Sequence, residues 1–180
     1  MINEQPIDER FRDSETGKLI DHCLVCNNEL VLSGSEYFVE RIFRRVPNLE
    51  IVEPIFEYAM CKSCAENMRE DLSKESLKNI EAYFMGNLQK NEFTQASTET
   101  CLMTGKSINA STEFSFHAHC QGDKMLESIF PYAISDQATD EISELLSQET
   151  VDQLDDFKGK YFTGPPELAD ILNPKRFVPL

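Results

Sequence analysis

Two short stretches decide how this chain is read: CLVCNNEL, residues 23–30, and CKSCAENM, residues 61–68. Each opens with two cysteines separated by two residues. That spacer lets both thiols of a pair face one ion, and two such pairs complete the tetrahedral shell that zinc prefers. Cys23, Cys26, Cys61 and Cys64 are therefore the expected ligands of one structural Zn2+. Four thiolates around a dication keep a net negative charge and need hydrogen-bond donors nearby. Cys61 and Cys64 fall where a helix should begin, so its free N–H groups are available, and Lys62 adds a positive charge.

Between the pairs, EYFVERIFRRV (36–46) is rich in aromatic and β-branched residues and predicts a strand. Pro47-Asn48 supplies a turn, and residues 51–60 predict the returning strand. Pro54 lacks an N–H, which puts that strand at a sheet edge or a bulge. After Cys61, Ala65, Met68 and Leu72 share a helical face. Ser73 is a candidate N-cap for a second helix carrying Leu77, Ile80, Phe84 and Leu88. Knuckle, β-hairpin, and a helix bearing the second cysteine pair in its first turn resemble the treble-clef zinc fingers. The resemblance covers about residues 20–73 and implies an α+β fold with a closed four-cysteine zinc site. That superfamily hosts many unrelated jobs, so it implies no particular function.

The chain divides into a polar N-terminal arm (1–20), the four-cysteine unit with its helix (21–90), a polar linker (91–100) and a second α+β unit with a helical C-terminus (101–180). In the second unit, EFSFHAHC (113–120) predicts a strand and Gly122-Asp123 the start of a short helix. Ser135 caps a helix carrying Ile142, Leu145 and Leu146. Val151, Leu154, Phe157 and Tyr161 mark another. Gly164-Pro165-Pro166 breaks it, and Leu168, Ile171 and Leu172 mark a last short helix.

The second unit echoes the first as a degenerate duplicate. Cys23–Cys26 can be laid on Cys101–Thr104, Ser35-Glu36-Tyr37 on Thr112-Glu113-Phe114, and Tyr58–Cys61 on His117–Cys120, with Asp123 at the place of Cys64. A second ion then has a candidate ligand set in Cys101, Cys120, Asp123 and one of His117 or His119. The plainer reading is a copy that lost its ion and is held by apolar packing, with His117 and His119 on one face of a strand.

The balance of 17 Lys+Arg against 32 Asp+Glu, a net charge of −15, disfavours nucleic acid and anionic membranes. No signal segment or membrane span is predicted, which points to the cytoplasm, where paired cysteines bind metal more often than they form disulfides. No phosphate loop, nucleophile elbow or deaminase signature occurs. The expected role is a protein-binding or scaffold module with structural zinc. Two alternatives are a thiol-redox or zinc-release sensor at Cys61–Cys64 and a nucleic-acid-associated protein using Arg41, Arg44 and Arg45.

Overall fold

A computed structural model describes residues 3–91 and 97–162. The expected linker segment 92–96 and everything after 162, including the expected last helix, lie outside the described residues. Among the described residues the fold is mixed, with a seven-stranded sheet and four α-helices.

The expected hairpin forms as β2 (Glu36–Arg45) and β3 (Val52–Cys61), paired from Tyr37↔Cys61 to Arg45↔Val52. The register slips between Ile42 and Phe43, which pair with Phe56 and Pro54. Pro54 thus has both expected outlets, since β3 is an edge strand and the bulge lies beside it. α1 (Lys62–Asp71) and α2 (Lys74–Lys90) follow, and the Ser73 hydroxyl caps α2 by accepting from the Ser76 N–H.

β1 (Asn3–Pro6) docks the N-terminal arm along the sheet's far edge, and Ile7 and Phe11 anchor the arm in the core. Residues 97–100 of the expected linker, with Cys101, form β4 (Ser97–Cys101). The central partner of β2 is β5 (Glu113–Gln121), antiparallel from Glu36↔Gln121 to Arg44↔Glu113. The sheet therefore runs without a break from residues before 91 to residues after 97.

The helix expected to start at Gly122-Asp123 does not form. These residues are a two-residue hairpin turn into β6 (Lys124–Glu127), with Gly122 at φ 55°. Gly-Asp suits such a turn because the first residue adopts the left-handed region without a Cβ clash. β7 (Tyr132–Ser135), a short apolar run that the sequence reading passed over, pairs with β5 and, in parallel, with β4. Ser135 then caps α3 (Asp136–Ser143), and Ser147 caps α4 (Gln148–Tyr161). Leu145 and Leu146 lie beyond the end of α3.

The buried apolar residues form two core clusters. Phe157 and Phe162, from α4 and its C-cap, pack with the cluster holding Cys23, Tyr58 and Ala59. Tyr83, Phe84 and Leu88 of α2 pack with the cluster holding Cys101, Tyr132 and Ala133. The heads of α2 and α4 meet reciprocally. The Ser73 N–H donates to Thr150 Oγ1 at 3.0 Å, and the Ser147 N–H donates to Ser76 Oγ at 2.8 Å.

Candidate metal centre

Cys23 and Cys26 sit on a tight knuckle. The Cys23 N–H donates to the Asn28 carbonyl and the Asn27 N–H to the Cys23 carbonyl, both at 2.9 Å. Asn27 takes the left-handed conformation (φ 58°) that closes the loop, which asparagine tolerates better than most residues. The knuckle is pinned to β3 by the Leu24 N–H donating to the Ala59 carbonyl at 2.8 Å. That contact brings it to Cys61, the N-cap of α1, and to Cys64 in the first turn.

The ligand atoms of Cys23, Cys26, Cys61 and Cys64 all lie within 4.8 Å of one another. Cys26 Sγ and Cys61 Sγ are 3.8 Å apart, far beyond a covalent S–S bond. A regular tetrahedron with Zn–S bonds of about 2.3 Å has edges of about 3.8 Å, so the donor set fits such an ion.

The electrostatics point the same way. Burial works against ionisation of Cys23, but N–H groups of Cys26, Cys61 and Val25 outweigh it and hold the thiol at about 7. The Cys61 N–H lies 3.4 Å from Cys23 Sγ. Cys61 and Cys64 are pushed upward, by burial first and then by neighbouring sulfurs. Four thiols this close cannot all ionise without a cation among them, and a divalent ion supplies that charge. Lys62 does not spend its charge on the sulfurs, since its ammonium pairs with Glu36 at 2.9 Å.

The second candidate set is not brought together. Cys101 lies in one core cluster and Cys120 in the other. His117 Nε2 is 2.7 Å from Ser115 Oγ, and His119 Nε2 is 2.8 Å from Glu36. Asp123 is exposed at the β5–β6 turn, and Cys120 is fully buried, with burial pushing its thiol up to about 12. Alternating strand residues face opposite sides, which separates Cys120 from His117 and His119.

Around Cys101 the backbone follows the bonds seen around Cys23. The Cys101 N–H donates to the Lys106 carbonyl, the Gly105 N–H to the Cys101 carbonyl, and the Leu102 N–H to the Ala133 carbonyl, each at 2.8 Å. Gly105 has φ 69°, as Asn27 has 58°. The Ser135 N–H points at Cys101 Sγ from 3.3 Å, as the Cys61 N–H points at Cys23 Sγ. The residue facing Cys101 is thus Ser135, not Cys120. Ala138 holds the place three residues on that Cys64 holds in α1.

The three arginines of the hairpin are engaged. Arg41 is buried against Glu57, Arg44 pairs with Glu113 at 2.9 Å, and Arg45 donates to the Ser111 carbonyl. Sequence reasoning passed over Glu40. It is buried in the middle of β2, accepts from the Tyr58 hydroxyl, and pairs in register with His117. Its only sequence signal is a carboxylate inside an apolar strand.

Comparison of the chain with known protein families, curated proteins and solved structures returned no match. Among the described residues, no helix is long and apolar enough to cross a membrane.

Proposed function

We propose that the chain is a zinc-stapled binding or scaffold module of treble-clef type. One Zn2+ held by Cys23, Cys26, Cys61 and Cys64 ties the knuckle to the first turn of α1. The observation that carries this reading is the convergence of four sulfurs from two distant segments within 4.8 Å. Four protein ligands saturate the ion and leave no position for a catalytic water, so its work is to hold the fold. A protein is the partner such a module would serve, and the reducing cytoplasm is the compartment that keeps its thiols available.

The same proposal treats residues 101–146 as a duplicate of residues 23–72 that has lost its metal. Its support is the matching set of bonds around Cys23 and Cys101. In that alignment Thr104, Ser135 and Ala138 stand for Cys26, Cys61 and Cys64. Ser135 has taken a different task, since its hydroxyl accepts from the Ala138 N–H and caps α3. Cys61 makes no such side-chain cap.

Metal analysis with thiol titration tests the metal reading. The native chain is expected to carry one zinc and to expose four further thiols when a chelator removes it. A metal-free native chain whose thiols at 61 and 64 react freely would overturn the proposal in favour of redox chemistry.

A further inference from the structure

α2 is pinned at both ends and stands off the sheet between them. Its head is held by the hydroxyls of Ser73, Ser76, Ser147 and Thr150. Toward its tail, the Tyr83 hydroxyl donates to Glu141 at 2.6 Å, and the Asn91 amide donates to the Met103 carbonyl at 2.7 Å. The only buried residue of this 17-residue helix is Ser76. Leu77, Ile80, Phe84 and Leu88 share its inward face, yet each remains partly exposed. A helix that merely collapsed onto the sheet would bury that stripe.

The space beneath is a cavity of about 680 Å³, walled by Met60, Met68, Leu72, Ile80, Phe84 and Phe130. That volume lies within the range of small-molecule sites, which are typically apolar with a few placed polar groups. The buried polar groups here are Glu40, Tyr58 and His117, while the exposed Glu66, Arg69 and Glu81 line its rim. Glu40 is 7% exposed. The Tyr58 hydroxyl donates to its Oε2, while Oε1 makes no hydrogen bond among the described residues. His117 Nε2 stands 3.8 Å from Oε1, too far to bond it, and contacts Ser115 Oγ instead. Among the described residues, a carboxyl oxygen on the floor of an apolar chamber is left without a donor.

We propose that this cavity binds an uncharged, mostly apolar molecule whose single hydroxyl hydrogen-bonds Glu40 Oε1. An apolar body matches the walls, and one hydroxyl, able to donate or accept, matches the carboxyl oxygen left open among the described residues. A ligand carboxylate would face Glu40 itself. An ammonium reaching the buried end would find one carboxyl, already bonded by Tyr58, to meet its several donors, since Glu66 and Glu81 lie at the exposed rim and Glu81 pairs with Arg69. The inference goes beyond the zinc reading and does not depend on it, because zinc content and ligand uptake are separate readouts.

The test uses the full chain with its metal content measured, and N-phenyl-1-naphthylamine as a fluorescent apolar probe. The probe should be taken up and displaced by 1-dodecanol about tenfold more effectively than by dodecane, the worth of one good buried hydrogen bond. Dodecanoate and dodecylamine should compete less well than the alcohol. Ile80→Trp, on the unpacked face of α2, should abolish uptake with zinc content and circular dichroism unchanged. Glu40→Leu should keep uptake and lose the preference for alcohol over alkane. Failure of the full chain to take up the probe, or unchanged uptake in Ile80→Trp, overturns the site. Equal competition by acid, amine and alcohol overturns the assigned ligand chemistry.

Discussion

Ser73 and Ser147 meet hydroxyl to hydroxyl, Oγ to Oγ at 2.7 Å, each at the N-cap of its own helix. Each backbone N–H is satisfied by a hydroxyl from the other helix, Thr150 for Ser73 and Ser76 for Ser147. The contact joins residues 74 positions apart in sequence. It explains why two helices with modest apolar faces start at one point above the sheet.

Ser73→Ala and Ser147→Ala should therefore each cost about 1 kcal/mol as lost caps. The double variant should cost at least about 0.5 kcal/mol less than the sum, because either change alone breaks the shared network. Denaturant unfolding of the four proteins measures the cycle. Strict additivity would mean that the two caps act independently despite their contact.

Cys26 lies at the exposed rim of the sulfur cluster, so its loss removes a ligand without opening a core cavity. Cys26→Ser should lose zinc and, with it, the folded state around Cys23. Structural zinc sites contribute on the order of 10 kcal/mol of binding free energy, comparable with the whole stability of a typical domain. Metal content and melting temperature decide the matter. Thr104→Ser, at the corresponding knuckle position, should change neither.

If residues 101–146 descend from a zinc-binding copy, the backbone that once held the ion is still present. Thr104→Cys, Ser135→Cys and Ala138→Cys together, with the native Cys101, should raise the zinc content from one ion to two. Losing the Ser135 cap costs about 1 kcal/mol, which a second bound ion more than offsets. Ala138 is fully buried, so its added sulfur must be accommodated as a ligand or as an overpacked core atom. Stoichiometry remaining at one zinc in a folded triple variant would count against the shared ancestry.

The cysteine cluster was legible because its chemistry is local: spacing within each pair, and a strand–turn–strand pattern between them. Caps at Ser73, Ser135 and Ser147 were legible, or would have been, for the same reason. What escaped was set by partners distant in sequence. Tyr132–Ser135 is too short to announce a strand and gains its identity by lying between β4 and β5. The echo at Cys101–Thr104 is visible in the sequence, and the sequence places its continuation at His117–Cys120, where a cysteine stands. The structure puts Tyr132-Ala133-Ile134-Ser135 opposite Cys101, a run that matches Tyr58-Ala59-Met60-Cys61 in its first two residues but has no terminal cysteine.

Glu40 and His117, paired in register at the centre of the sheet, carry opposite pH dependences. Burial raises Glu40 to about 7, against the lowering effect of the Tyr58 hydrogen bond, from an ordinary 4.5. Between those values the native state holds a proton that the unfolded chain lacks, so stability falls as pH rises. Burial lowers His117 to about 3 from an ordinary 6.5. There the unfolded chain holds the extra proton, so stability rises with pH. Tyr58 and Tyr132, the other titratable groups at this centre, are pushed upward and stay neutral, while Glu66, Arg69 and Glu81 lie along the cavity on the helix side. From about 4.5 to about 6.5 the two slopes cancel, because native and unfolded chains carry the same number of protons on this pair. Substituting either residue should unmask the other. Relative to the parent protein in excess zinc, Glu40→Gln should gain stability with rising pH across that window, by up to about 1.4 kcal/mol per pH unit. His117→Phe should lose stability by a similar slope. Chemical denaturation of the three proteins at matched pH values reads the slopes directly. Parallel curves for all three would show that neither group is held in the protonation state its burial imposes.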